Sequence, residues 1–326
     1  MLDVIRLLKS ENIIKRLAVE ITRDKILNSK EDPIQPIVDI IHGSIMKYGL
    51  ETTRVGLKAV TDRVIEIIGS NSEEKISELF FEHLERVGRL AISKEDEHST
   101  VEVIKNLENF GKSTAEKRLD GATGEAAYSL GNVGTIAAKK SLGFEASRAV
   151  ESLGEVGEAA AEKGLEGATF SAVSSLIFVG IVAMEEGFEV VTKQTAKSLG
   201  AVGKAAAEKG FGGADWQVAC SLGAIGRAAT EKLGWVTLLQ IVWSLEDIGK
   251  AAAEKGFELA TGKAAESLAK LTILSEEIVK TAIHDYELEL EEKDRDPFQK
   301  FMKEYEQELE KLRADKRTAN KKTESN

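Results

Sequence analysis

The sequence predicts an all-α fold: a right-handed α–α superhelix, or α-solenoid, assembled from 23-residue repeats. Three observations carry that expectation. A unit that reads most cleanly from Ser152 to Ser174, SLGEVGEAAAEKGLEGATFSAVS, recurs at 23-residue spacing from His83 and Asn106 through Ser129, Ser175, Ser198, Ser221, Ser244 and Ser267. Ala, Glu, Lys and Leu dominate the chain, and all four favour helix. Period-two runs of β-branched and aromatic residues are missing, so nothing competes with the helical reading. A stacked array grows by adding units, so its core lengthens with the chain.

Taken in order, residues 1–82 form an N-terminal helical region with degenerate repeats. Leu2, Ile5, Leu8, Ile13, Ile14, Leu17 and Ile21 recur at helical spacing, Ser29–Pro33 breaks the pattern, and a divergent unit runs from Ile37 to Ile68. A loop at Gly69–Ser72 follows, with Ser72 as an expected N-cap. The array proper spans 83–271, with the stretch Ser93–Thr100 read as a polar linker. Residues 272–312 hold capping or amphipathic helices. Asp296-Pro297 reads as an N-cap followed by proline at the first helical position. Phe298, Phe301, Met302, Tyr305, Leu309 and Leu312 then form one stripe, and 313–326 reads as a disordered tail.

Within the array, column two is leucine throughout, and column five is an apolar series from Val87 and Phe110 to Ile248 and Leu271. Column six is glycine from Gly88 to Gly249, which calls for positive φ or for close backbone approach. Column eighteen holds Thr123, Thr169, Thr192, Asp215 and Thr261, residue types preferred at helix N-caps. Two readings follow: one long helix per unit, or a hairpin of two short helices ending at the column-six glycine. The cap chemistry favours the hairpin.

The segments Ala264-Ala265-Glu266-Ser267-Leu268 and Ser198-Leu199-Gly200-Ala201-Val202-Gly203 resemble the first helix of HEAT-like repeats of the phycobilisome-lyase kind. That resemblance covers about 83–271, implies stacked helical hairpins, and departs in unit length, ordinary HEAT units being considerably longer. Separately, Glu31–Ala59 resembles the soluble part of an uncharacterised microbial membrane-protein family.

Net charge is −11, which argues against nucleic acid and against an anionic membrane surface as partners. Gly167 to Met184 is uncharged and contains LIFVGIVAM, but it keeps the repeat register. It reads as an unusually apolar unit, and no membrane span is expected. The N-terminal stretch lacks a signal-peptide apolar core. One cysteine, Cys220, fits a reducing, cytoplasmic setting and a structural role. His42, His83, His98 and His284 are scattered, and no phosphate loop or nucleophile–base pair is found. No cofactor, metal or catalytic residue is expected.

Information about a partner should lie where a polar or mixed column turns apolar. Phe178 and Ile181 do so in columns four and seven. Phe170, Trp216 and Leu239 do so in column nineteen, joined by Trp235 and Trp243. Either these seven form a patch for a protein partner or a second copy, or they turn inward to fill space. The function expected is a non-catalytic protein-interaction scaffold. The alternatives are a cytosolic regulatory or sensory part of a membrane-associated assembly and, third, a lyase-type enzyme.

Overall fold

The computed structural model describes residues 73–232 and 235–324; the expectations for residues 1–72 lie outside these. Among the described residues there is no strand. Eleven α-helices follow one another: α1 Glu73–Ser93, α2 Glu97–Glu116, α3 Asp120–Lys139, α4 Gly143–Glu162, α5 Glu166–Glu185, α6 Glu189–Lys209, α7 Ala214–Lys232, α8 Trp235–Lys255, α9 Glu258–Leu274, α10 Glu276–Glu289 and, after a 3-10 turn at Glu292–Asp294, α11 Arg295–Glu324. The chain is a helical repeat protein, an all-α solenoid.

Each repeat is one helix of about twenty residues, not a hairpin of two short ones. The turn falls in column thirteen, where Gly164, Gly187, Gly210 and Gly256 have positive φ. Glu95, Arg118 and Ser141 adopt the same left-handed conformation in that column. After α4 the Gly164 N–H donates to Ala161 O, and the Leu165 N–H donates to Ala160 O at 2.9 Å. This closure of the orphan carbonyls ends a helix sharply. Column eighteen is not a cap. Thr123, Thr169, Thr192 and Thr261 lie inside the first turn and donate to the carbonyl four residues earlier. The expected linker at Ser93–Thr100 shrinks to Lys94–Asp96, with Asp96 capping α2 through a bond from the Ser99 N–H.

From α1 to α9 every helix packs on the next helix and on the one two further along. The helices therefore fall into two layers, one of odd and one of even helices. The column-six glycines sit mid-helix at the contact between members of one layer. A Cβ on Gly157 would lie 2.8 Å from Val202 Cγ2, and one on Gly203 would lie 2.9 Å from Ile248 Cδ1. Close approach, and not positive φ, is what holds this column, and the column-five side chain two units on fills the space. Column one has a matching role. Ser198, Ser244 and Ser267 are buried and donate to Val150 O, Ala196 O and Ala219 O, each in the helix two earlier. Bonding to a partner offsets the cost of burying those hydroxyls.

At the C-terminal end α11 covers the open core. Phe298 and Phe301 are buried, with Tyr305 and Leu309 behind them. The Phe301 ring occupies the space beside Gly249 that a column-five side chain fills elsewhere. The expected disordered tail is instead helical as far as Glu324, its residues 314–319 exposed. Beyond Leu312, which is partly buried against the core, the helix has no large apolar side chain to bury.

Candidate interaction surface

The seven apolar residues divide between the layers. Phe170, Phe178 and Ile181 lie on α5 and Trp216 on α7, both in the odd layer, and all four are exposed. Trp235, Leu239 and Trp243 lie on α8, in the even layer. Trp235 is exposed at its first turn, while Leu239 and Trp243 are half-buried against the core. The Trp243 indole N–H donates to Ala282 O of α10 at 3.3 Å, so Trp243 helps to seat the C-terminal helices. Thus the inward alternative holds for two residues, and outward exposure for five.

On α5 the exposed positions follow helical spacing. Phe170, Ser174, Phe178 and Ile181 share one face, and no charged residue stands between Glu166 and Glu185. The opposite face, with Ala172, Val173, Leu176, Val179 and Ala183, is buried. Because α5 buries one face and leaves the other apolar, it is long and apolar enough to cross a membrane by length and composition, while packing on α3, α4, α6 and α7. Register carries the face across the layer. Phe170 and Trp216 occupy the same column on successive odd helices, as do Tyr128, Ser174 and Cys220. Tyr128 is exposed and extends the patch onto α3. Sequence reasoning missed it, because column twenty-three mixes Tyr, Glu, Ser, Lys, Cys and Trp.

The even layer treats the same columns differently. Lys112 (column seven, α2) pairs with Glu155 (column four, α4). Lys204 on α6 stands 3.8 Å from Asp247 on α8, and Lys250 stands 3.4 Å from Asp294 in the 3-10 turn. In the odd layer those columns hold Asn132, Phe178 and Ala224, and Thr135, Ile181 and Arg227, on α3, α5 and α7, with Arg86 and Arg89 on α1 and Lys270 and Ile273 on α9.

Three buried titratable groups mark where units depart from the repeat. Glu108 and Glu246 both stand in column three, which is glycine at Gly131, Gly154, Gly200 and Gly223. Burial would raise Glu108, but the Ser152 hydroxyl at 2.6 Å and the Lys112 ammonium at 3.1 Å outweigh it and hold the carboxyl below its usual range. Glu246 is fully buried, neither carboxyl oxygen has a hydrogen-bond partner, and burial with Asp247 beside it pushes the group up to about 9. Asp215 replaces the column-eighteen threonine. Burial raises it to about 6 against the bond it accepts from the Trp216 N–H at 2.6 Å, and its other oxygen has no partner.

Burial also pushes the Cys220 thiol up, which keeps it protonated and a weak nucleophile. Among the described residues no group of three or more His, Cys, Asp and Glu side chains is arranged to hold a metal ion.

No protein-family model matches the chain, and no curated protein matches it. Among solved structures, one that matches is a circular tandem repeat protein with novel repeat topology and enhanced subunit contact surfaces. It is 14% identical over 94% of this chain and 86% of that one, with a TM-score of 0.40. The fold stands on the helices themselves.

Proposed function

We propose that the chain is a non-catalytic protein-interaction scaffold whose working surface is the outer face of α5 and its flanks on α3 and α7. One observation carries this reading: Phe178 and Ile181 are 55% and 39% exposed in columns that are otherwise mostly polar or charged. Apolar surface of this kind is unfavourable in water and is characteristic of sites a partner covers. The HEAT-type likeness belongs to this proposal too. Two successive helices form the packing unit, and two 23-residue repeats bring the unit to about the 40–47 residues usual for HEAT and armadillo repeats. That supports reading the sequence repeat as half of a hairpin unit. A reducing, cytoplasmic setting is in keeping with the single cysteine.

The test is a matched pair of surface variants in quantitative pull-downs from the native source. Phe178→Glu with Ile181→Glu should abolish the specific capture seen with the wild type. Lys204→Glu, on the even layer, should leave it intact. Equal capture by all three, with unchanged circular dichroism, would remove α5 as the working surface.

A further inference from the structure

We infer that the partner on this face is a second copy of the chain, seated with its α5 antiparallel to α5 across a two-fold axis at Ser174. This inference rests on the scaffold reading above and gives it an occupant.

Charge is the first argument. In a two-fold contact each residue on the axis meets its own copy. Any charge there would repel itself, so complementarity on the axis demands neutrality. The column that would lie along the axis is uncharged at its centre, with Tyr128 on α3, Ser174 on α5 and Cys220 on α7, and continues on α9 to Glu266, whose charge Lys263 and Lys270 pair. In a chain carrying −11, the uncharged outer face of α5 is a surface on which two copies do not repel, and the exposed charges on its flanks, Asp120 and Glu125 on α3 and Arg227 on α7, are of both signs. A partner of different sequence selected by charge would call for a charged pattern to read, and the α5 face supplies none.

The second argument is shape. Antiparallel pairing about Ser174 sets Phe170 against Phe178 of the other copy, and Ile181 against Gly167. On α7 the same operation sets Trp216 against Ala224. Large side chains thus meet small ones or another ring, which is how helices interdigitate at 8–10 Å separation. The antiparallel order also opposes the two helix dipoles favourably.

Area is the third. Tyr128, Phe170, Phe178 and Trp216 are 57%, 49%, 55% and 40% exposed. With about 150–250 Å² per aromatic side chain, these four alone offer about 300–500 Å². Ile177, Ile181, Ser174 and the flanking backbone bring each copy towards the roughly 800 Å² of a standard interface.

Sedimentation equilibrium on the full chain, together with thiol cross-linking, tests this. The wild type should reach a dimer by about 0.1 mM, a range open to interfaces of this size. A short bis-thiol-reactive linker should join two chains through Cys220, and Cys220→Ser should abolish the product. Phe178→Glu should raise the dimer dissociation constant at least about 30-fold, as loss of a central anchor does. Its helical content and melting temperature should stay those of the wild type. A wild type that stays monomeric at 0.1 mM overturns the inference. If such a monomer still loses a different partner on Phe178→Glu, the scaffold reading stands without it; if it loses nothing, both fall. A dimer that Cys220 cannot link and Phe178→Glu does not weaken also overturns it.

Discussion

The odd and even layers are built from the same columns and differ in what their outer positions do. On the even layer, columns four and seven tie helices to each other through Lys112–Glu155, Lys204–Asp247 and Lys250–Asp294. The last of these also anchors the turn that leads into the capping helix. On the odd layer Asn132 of column four reaches Glu85 on α1, while on α5 the same columns hold Phe178 and Ile181, which are exposed. Surface pairs of the even kind contribute only about 0–1 kcal/mol each, so their presence says little about stability. What they show is that these columns carry charge pairs between even helices, where α5 of the odd layer carries exposed apolar side chains. A repeat makes this contrast readable, because every unit is a control for its neighbours.

The contrast can be tested at its foundation first. If the layers share one packing rule, overfilling a column-six glycine should hurt both alike. Gly134→Leu in α3 and Gly157→Leu in α4 should each cost about 3 kcal/mol or more, since a Cβ alone would already lie 3.1 and 2.8 Å from neighbouring side chains. Chemical denaturation reads this; a large difference between the two would mean the layers differ in packing as well as surface.

Next come the two buried glutamates, both in the even layer at opposite ends of the described array. Glu246→Met should stabilise the protein by about 2–4 kcal/mol at pH 8. The sign follows from linkage. With the carboxyl at about 9 when folded and 4.5 as reference, the unfolded state releases the proton first. Stability therefore falls as pH rises between these values, and the variant should gain little at pH 4. Glu108→Met should do the reverse. It removes a group held below its reference value and orphans the Ser152 hydroxyl, costing about 1–3 kcal/mol at neutral pH and less as pH drops through the folded value. Thermal melts across pH would separate the pair.

A smaller effect is expected on the odd layer. Asp215→Thr restores the column-eighteen hydroxyl, whose copies donate to the carbonyl four residues earlier. It should add about 1–2 kcal/mol above pH 6 and progressively less as pH falls, the gain disappearing only below the reference value of 3.8, where Asp215 is protonated in the folded and unfolded states alike. The smallest change in stability should come from the surfaces. Lys204→Met and Phe178→Glu should each move the folding free energy by less than about 1 kcal/mol, while only the second alters association.

How much of this was legible in the sequence follows from what a repeat can and cannot encode. Helix, period and core columns were readable, because leucine and valine at columns two and five recur whatever the turn geometry. The turn was misplaced, and for a physical reason. A repeated glycine signals either positive φ or close packing, and column six is the packing kind. The true turn glycine, Gly164 and its copies, was obscured by Glu95, Arg118 and Ser141, which take the same left-handed conformation without being glycine. Column-eighteen threonine deceived in the same way, since a hydroxyl bonding back one turn uses the same residue type as an N-cap. The polarity of the tail beyond Arg313 predicts disorder, yet it continues a helix already anchored by Phe298 and Phe301.

The candidate surface was legible as residues and not as a surface. Unit parity decides which layer a side chain occupies. With Phe178 in one layer and Trp243 in the other, four of the seven candidates share one exposed face, two pack against the core and Trp235 stands exposed on the other layer. Tyr128 joined the face only when register put it beside Ser174. The signal that would have revealed the layers is the complementary charge two units apart, as in Lys112 and Glu155.

Hydroxyl-radical footprinting of the full chain, compared between dilute and concentrated protein, tests the central contrast most directly. Trp216 and Trp235 are both exposed, at 40% and 63%, but lie on different layers. On association, Tyr128, Phe178 and Trp216 should lose labelling while Trp235 is labelled as before. Protection of Trp235 with Trp216 left unchanged, or no change at either, would contradict the account.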